Sequence, residues 1–119
     1  MLNAIRIYET GGPEVMRWEA DDPGQPEAGE ALVRHEAIGL NFIDVYHRTG
    51  LYPIGDLPAI PGMEGAGRVE AVGSGVSEVA EGDRVAYAGL PPGAYAERRR
   101  IPAHRLVKLP DAIPATQAA

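Results

Sequence analysis

Cysteine is absent from all 119 residues. That excludes disulfides, thiolate nucleophiles and any cysteine-based zinc site together. No run of 18 apolar residues occurs, and the first thirty residues lack the basic, apolar and small-residue order of a signal peptide. Neither export nor membrane insertion is indicated, and a cytoplasmic protein is expected. Basic residues are also in short supply: 11 Lys and Arg stand against 17 Asp and Glu, giving a formal charge of -6 and a pI near 5.0. Phosphate contacts lean on Lys and Arg, so neither a nucleic acid nor an anionic membrane is the expected partner. A small or neutral ligand fits better.

What is present is short, punctuated segments. A chain of this length, 45% hydrophobic and 24% charged, has material for one domain with a single core. Its 15 Gly and 11 Pro divide it into brief stretches, and the pattern predicts strands over residues 2–8, 15–19, 31–38, 66–72, 84–88, 94–99 and 106–108. Alternation is clear around Ile5-Arg6-Ile7 and Arg68-Val69-Glu70-Ala71 and weak over residues 31–38. Several half-buried strands at short spacing favour a partly closed barrel or a sandwich over an open parallel sheet. One internal helix is expected, starting at Asn41 and ending by Gly50, with Asp44 in the favourable first turn. The acidic, proline-rich stretch EADDPGQPEAGE at residues 19–30 reads as a surface loop. The last residues, LPDAIPATQAA, read as strand exit, turn and the first turn of a helix, with Pro114 in an early helical position.

Residue by residue, several polar groups have structural readings. Asn41 serves as an N-cap or as a ligand contact, and Asp44 as a partner of the helix dipole. His47 and Arg48 are expected as solvated charge at the helix end, and His35 and His104 as surface or satisfied residues. Met63, in PGMEGAG at residues 61–67, reads as packing. The run Arg98-Arg99-Arg100 lies on a predicted strand whose side chains alternate, which suits a solvated edge better than a phosphate clamp.

The motifs GGPEVM (11–16), GLNFIDVYHRTGLYP (39–53), PGMEGAGRVEAVGSGV (61–76), GDRVAYAG (82–89), GAYAE (93–97) and LVKLP (106–110) together carry a resemblance. In order and spacing the chain resembles the zinc-free quinone oxidoreductase (zeta-crystallin-like) branch of the medium-chain dehydrogenase/reductase superfamily. The match runs from about residue 4 to the last residue. It implies a mainly β fold with short helices, a GroES-like, partly open β-barrel, over residues 1–113. Residues 114–119 would begin the helix leading to a Rossmann domain that this sequence does not contain.

The resemblance also implies chemistry. NADPH would be bound mainly by the missing domain, a quinone would be the substrate, and the full-length protein would be a homodimer. Zinc-dependent members place metal ligands where this sequence has Asn41, Met63 and Glu64. Asn is a poor zinc ligand and Met a soft one, so no zinc is expected. Glu64 is then expected as a structural carboxylate, accepting backbone N–H bonds or pairing with an Arg. Residues Asn41, Phe42, Ile43, Asp44, Val45 and Tyr46 would line the cofactor cleft. Asn41, Tyr46 and Tyr52 would contact cofactor or substrate, with the two phenols offering O–H donors on flat rings. The isolated chain is expected to be inactive. Two alternatives stay open: an NADPH-dependent reductase of enone or alkenal double bonds, and a stand-alone GroES-like binding module.

Overall fold

The computed structural model describes residues 2–119. Seven strands and two short helices follow in chain order: β1 (Asn3–Ile7), β2 (Met16–Ala20), β3 (Glu30–Ile38), α1 (Phe42–Thr49), β4 (Glu64–Val72), β5 (Arg84–Ala88), β6 (Arg98–Pro102), β7 (Val107–Lys108) and α2 (Ala115–Ala118). β1 and β2 form an antiparallel hairpin, and the other strands form a five-stranded antiparallel sheet in the order β6-β3-β4-β5-β7. The fold is mainly β, and its sheets do not close into a complete barrel. Among the described residues, no helix is long and apolar enough to cross a membrane.

Burial explains where sequence alternation was clear and where it was weak. β5 buries Val85 and Tyr87 with less covered residues between them, the period expected of a strand with one core face. The first half of β3 instead buries Ala31, Leu32 and Val33 in succession. This half is hydrogen-bonded on both edges, to β4 and β6, and the strand also packs against α2, so its apolar run carries no alternation. Two register shifts between β3 and β4, where Glu70 and Glu36 are the extra residues, bend the pair as β-bulges do. The core gathers Val33, Val69, Val85, Tyr87, Ile101 and Leu106 with smaller residues around them.

Several boundaries differ from the sequence expectation; β4 begins at Glu64 and β6 runs to Pro102. Pro13–Val15 forms a 3-10 turn, because Pro13 starts helical turns well, and β2 begins only at Met16. Residues 94–97 are not part of a ladder strand. Their backbone bonds both sheets instead: the Ile5 N–H donates to the Tyr95 carbonyl at 2.8 Å, and the His35 N–H to the Glu97 carbonyl at 2.9 Å. β6 therefore starts at Arg98. Pro114 stands at the N-cap of α2 rather than inside it.

The arginine run is likewise only partly solvated. β6 is an edge strand, with Arg98 paired to Glu70 and Arg100 near Glu27 and Glu30, but Arg99 is 7% exposed. Its guanidinium covers one face of Tyr87, 5.2 Å from the ring centroid, and donates to the carbonyls of Pro91 and Pro92 at 3.2 and 3.3 Å.

Candidate functional site

α1 organises the candidate residues. Asn41 occupies its N-cap with extended backbone, and Gly50 ends it at φ 89°, a left-handed conformation that glycine adopts without a Cβ penalty. The turn after the helix folds back, so that the Tyr52 N–H donates to the Tyr46 carbonyl at 3.3 Å. This brings the two phenol rings together edge to face, with centroids 5.5 Å apart at 82°. Tyr52 is 51% exposed and Phe42 82%. Asn41, Phe42, Tyr46 and Tyr52 thus belong to one helix and the turn that closes it, with aromatic surface open to solvent.

Asp44 and His47 both lie inward; Asp44 stands in the first turn as expected, whereas His47 is contrary to the expectation of solvated charge at the helix end. Asp44 is 3% exposed and His47 5%. Asp44 Oδ2 accepts the Asn41 backbone N–H at 3.0 Å, closing the carboxylate arm of a capping box, and also accepts the Tyr95 hydroxyl at 2.7 Å. The second oxygen, Oδ1, and His47 Nδ1 are buried without a hydrogen-bond partner. Arg48 is tied down as well, with Nε donating to the Gly11 carbonyl at 3.2 Å. The helix ends in buried and tethered groups because this face packs on the rest of the fold, which the sequence periodicity of eight residues did not reveal.

Tyr95 is the residue that sequence reasoning missed. Its backbone N–H donates to the Pro61 carbonyl at 2.9 Å, and its ring lies against Gly62. A Cβ on Gly62 would stand 2.6 Å from Tyr95 Cδ1, and Gly62 has φ +104°. Both facts require glycine there. Burial, reinforced by the bond to Asp44, holds the Tyr95 phenol well above its ordinary pKa. The signal available in sequence was the pair of glycine-containing motifs PGMEG and GAYAE, which meet in space at this ring.

Glu64 does not take the role expected of it. Among the described residues its carboxylate has neither a backbone N–H donor nor an arginine partner, and its side chain lies directly on Gly39, where a Cβ would stand 2.1 Å from Oε1. Met63 is half-buried. Asn41, Met63 and Glu64 supply one ordinary zinc donor between them, and among the described residues no three His, Cys, Asp or Glu side chains are grouped as metal ligands would be.

A cavity of about 660 Å³ lies between the β1–β2 hairpin, the end of β3 and the inner side of α1. Met16, Trp18, Ile38 and Leu40 give it apolar walls, and Asp44 and Tyr95 add polar groups. Val45 also lines it, whereas Asn41, Tyr46 and Tyr52 do not. Of residues 41–46, Asp44 and Val45 line this cavity and Phe42 faces solvent. His35 borders the cavity and is satisfied: Nδ1–H donates to the Ala96 carbonyl at 2.7 Å, and Nε2 accepts the Tyr87 hydroxyl at 2.7 Å. Burial brings the His35 pKa down to about 4, so the ring is neutral at pH 7.

The open antiparallel sheet, the separate hairpin and the short helix with its aromatic face define a class. The chain belongs to the alcohol dehydrogenase GroES-like domain family, whose pattern matches residues 27–111. Over all 119 residues it is 51% identical to the quinone oxidoreductase of Pseudomonas aeruginosa, of which it spans 37%. It superimposes with a TM-score of 0.94 on the Escherichia coli quinone oxidoreductase solved in complex with NADPH, at 45% identity, covering 98% of this chain and 36% of that one. A 2-haloacrylate reductase of a Burkholderia species is 42% identical over 113 residues, covering 92% of this chain and 34% of that protein. The chain thus spans little more than a third of the length of the relatives it matches.

Proposed function

We propose that this chain is the substrate-side, GroES-like part of an NADPH-dependent quinone reductase that works without zinc. The observation that carries the reading is the open aromatic face of α1 and its following turn, where Asn41 and the Tyr46–Tyr52 pair stand beside exposed Phe42. The residues fit the nicotinamide end of the cofactor: an amide for its carboxamide, and flat phenol rings against its ring face. They do not fit its phosphates, because the glycine-rich loop at residues 61–67 leads into β4 rather than into a helix N-terminus. In this reading residues 1–113 form the substrate domain, and residues 114–119 lead toward a separate dinucleotide-binding domain. The isolated chain is then inactive.

NADPH supplies the hydride when bound. The part of this chain is to hold the acceptor in line with it. Tyr46 and Tyr52 donate O–H bonds to a quinone oxygen, and Asn41 orients the carboxamide or that oxygen. Quinones accept electrons readily, so orientation suffices and no dedicated general acid is required. Replacing Tyr52 by Phe in the full-length protein keeps the ring and removes the donor. It should lower kcat/KM for the quinone by about tenfold, the order of one hydrogen bond; an unchanged value would return Tyr52 to a packing role. A second reading, reduction of an activated carbon–carbon double bond, is favoured only by the similarity to the 2-haloacrylate reductase.

A further inference from the structure

We infer that Tyr95 is a positioning residue: seated on Gly62 and bonded to Asp44, it fixes the entry of α1 and with it the placement of Asn41 and Tyr46. This inference rests on the reading that those two residues meet the substrate or the nicotinamide. The geometry links three segments distant in sequence. The backbone around Gly62 holds residues 93–95, through N–H groups of Gly93 and Ala94 donating to the Gly62 carbonyl at 2.9 and 3.2 Å and that of Tyr95 to the Pro61 carbonyl. The Tyr95 ring has no room to shift toward Gly62, and its hydroxyl reaches Asp44 Oδ2 at 2.7 Å. The same oxygen takes the Asn41 N–H at 3.0 Å.

Two properties make the hydroxyl decisive. Asp44 is 3% exposed and, among the described residues, its Oδ1 has no hydrogen-bond partner, so the Asn41 N–H and the Tyr95 hydroxyl are the two donors that hold this buried first-turn carboxylate. Removing the hydroxyl leaves the buried carboxylate a single hydrogen-bond donor, an arrangement it escapes by turning toward water. The cavity beside Asp44 gives it the space to turn. Once it turns, the Asn41 N–H loses its acceptor and the first turn of α1 is free to tilt. Tyr95 touches neither reacting group in this scheme; it acts through Asp44.

The test uses Tyr95→Phe, which keeps the ring on Gly62 and removes only the hydroxyl. In this chain, hydrogen exchange at the Asn41 amide should quicken by about tenfold, while core amides of β3 and β4 keep their wild-type rates. In the full-length reductase, kcat/KM for the quinone should fall by about tenfold. Asp44→Asn, which retains an oxygen able to accept both bonds, should restore most of what Asp44→Ala loses. Unchanged exchange at Asn41 in Tyr95→Phe overturns the inference, as does a uniform rise in exchange across the core. If the wild-type full-length protein does not reduce quinones, the proposed function fails, and the exchange measurement still decides the positioning role.

Discussion

His35 shows how a single residue can be both ordinary and informative. It lies among β3, β5 and the 94–97 segment, with both ring nitrogens used and the Arg99 guanidinium nearby. Its pKa falls from 6.5 to about 4, chiefly through burial. The unfolded chain therefore binds a proton at His35 at a pH where the folded chain does not, and folding stability drops as pH falls from about 6.5 toward 4. Thermal midpoints measured across that window should decline in the wild type and decline less in His35→Gln. Parallel curves for the two proteins would show that His35 does not titrate as described. Of the two sequence readings of His35, surface or satisfied, the second agrees with this arrangement. The reading of His47 as solvated does not, because an eight-residue helix gives too few turns to tell its buried face from its open one.

At the scale of elements, the glycine loop and the 94–97 segment behave as one unit. Gly62 combines positive φ with a contact that leaves no room for a methyl group, so Gly62→Ala should destabilise the fold by at least about 1 kcal/mol. Denaturant unfolding measures this directly, and a midpoint equal to wild type would mean that the loop has another conformation open to it. Alternation of burial is clean in β5, whereas β1 spaces its buried Ala4 and Ile7 three apart and β4 buries residues 65–67 in succession, so those strands were legible from composition and flanking turn residues. The misplaced start of β6 has a physical reason: residues 94–97 have strand-like composition, but their hydrogen bonds go to β1 and β3 on either side. The placement of Asn41 and Tyr46 on one helix, with Tyr52 in the turn after it, was legible from the motif. The Tyr95–Asp44 contact was not, because it joins residues 51 apart in sequence.

At the scale of the whole molecule, the described residues present an open aromatic face on α1, and their glycine-rich loop at 61–67 leads into a strand and not a helix N-terminus. The chain alone should accordingly bind NADPH weakly. Calorimetric titration is expected to show no sub-micromolar site, and finding one would place dinucleotide binding within these 119 residues. In the longer protein proposed above, an aromatic face and an amide would stand in for a metal at the reacting carbonyl. The most direct test is quinone-dependent NADPH oxidation by the full-length protein before and after exhaustive chelation. An unchanged rate is the predicted result; a rate that collapses on chelation and returns when zinc is added would contradict it.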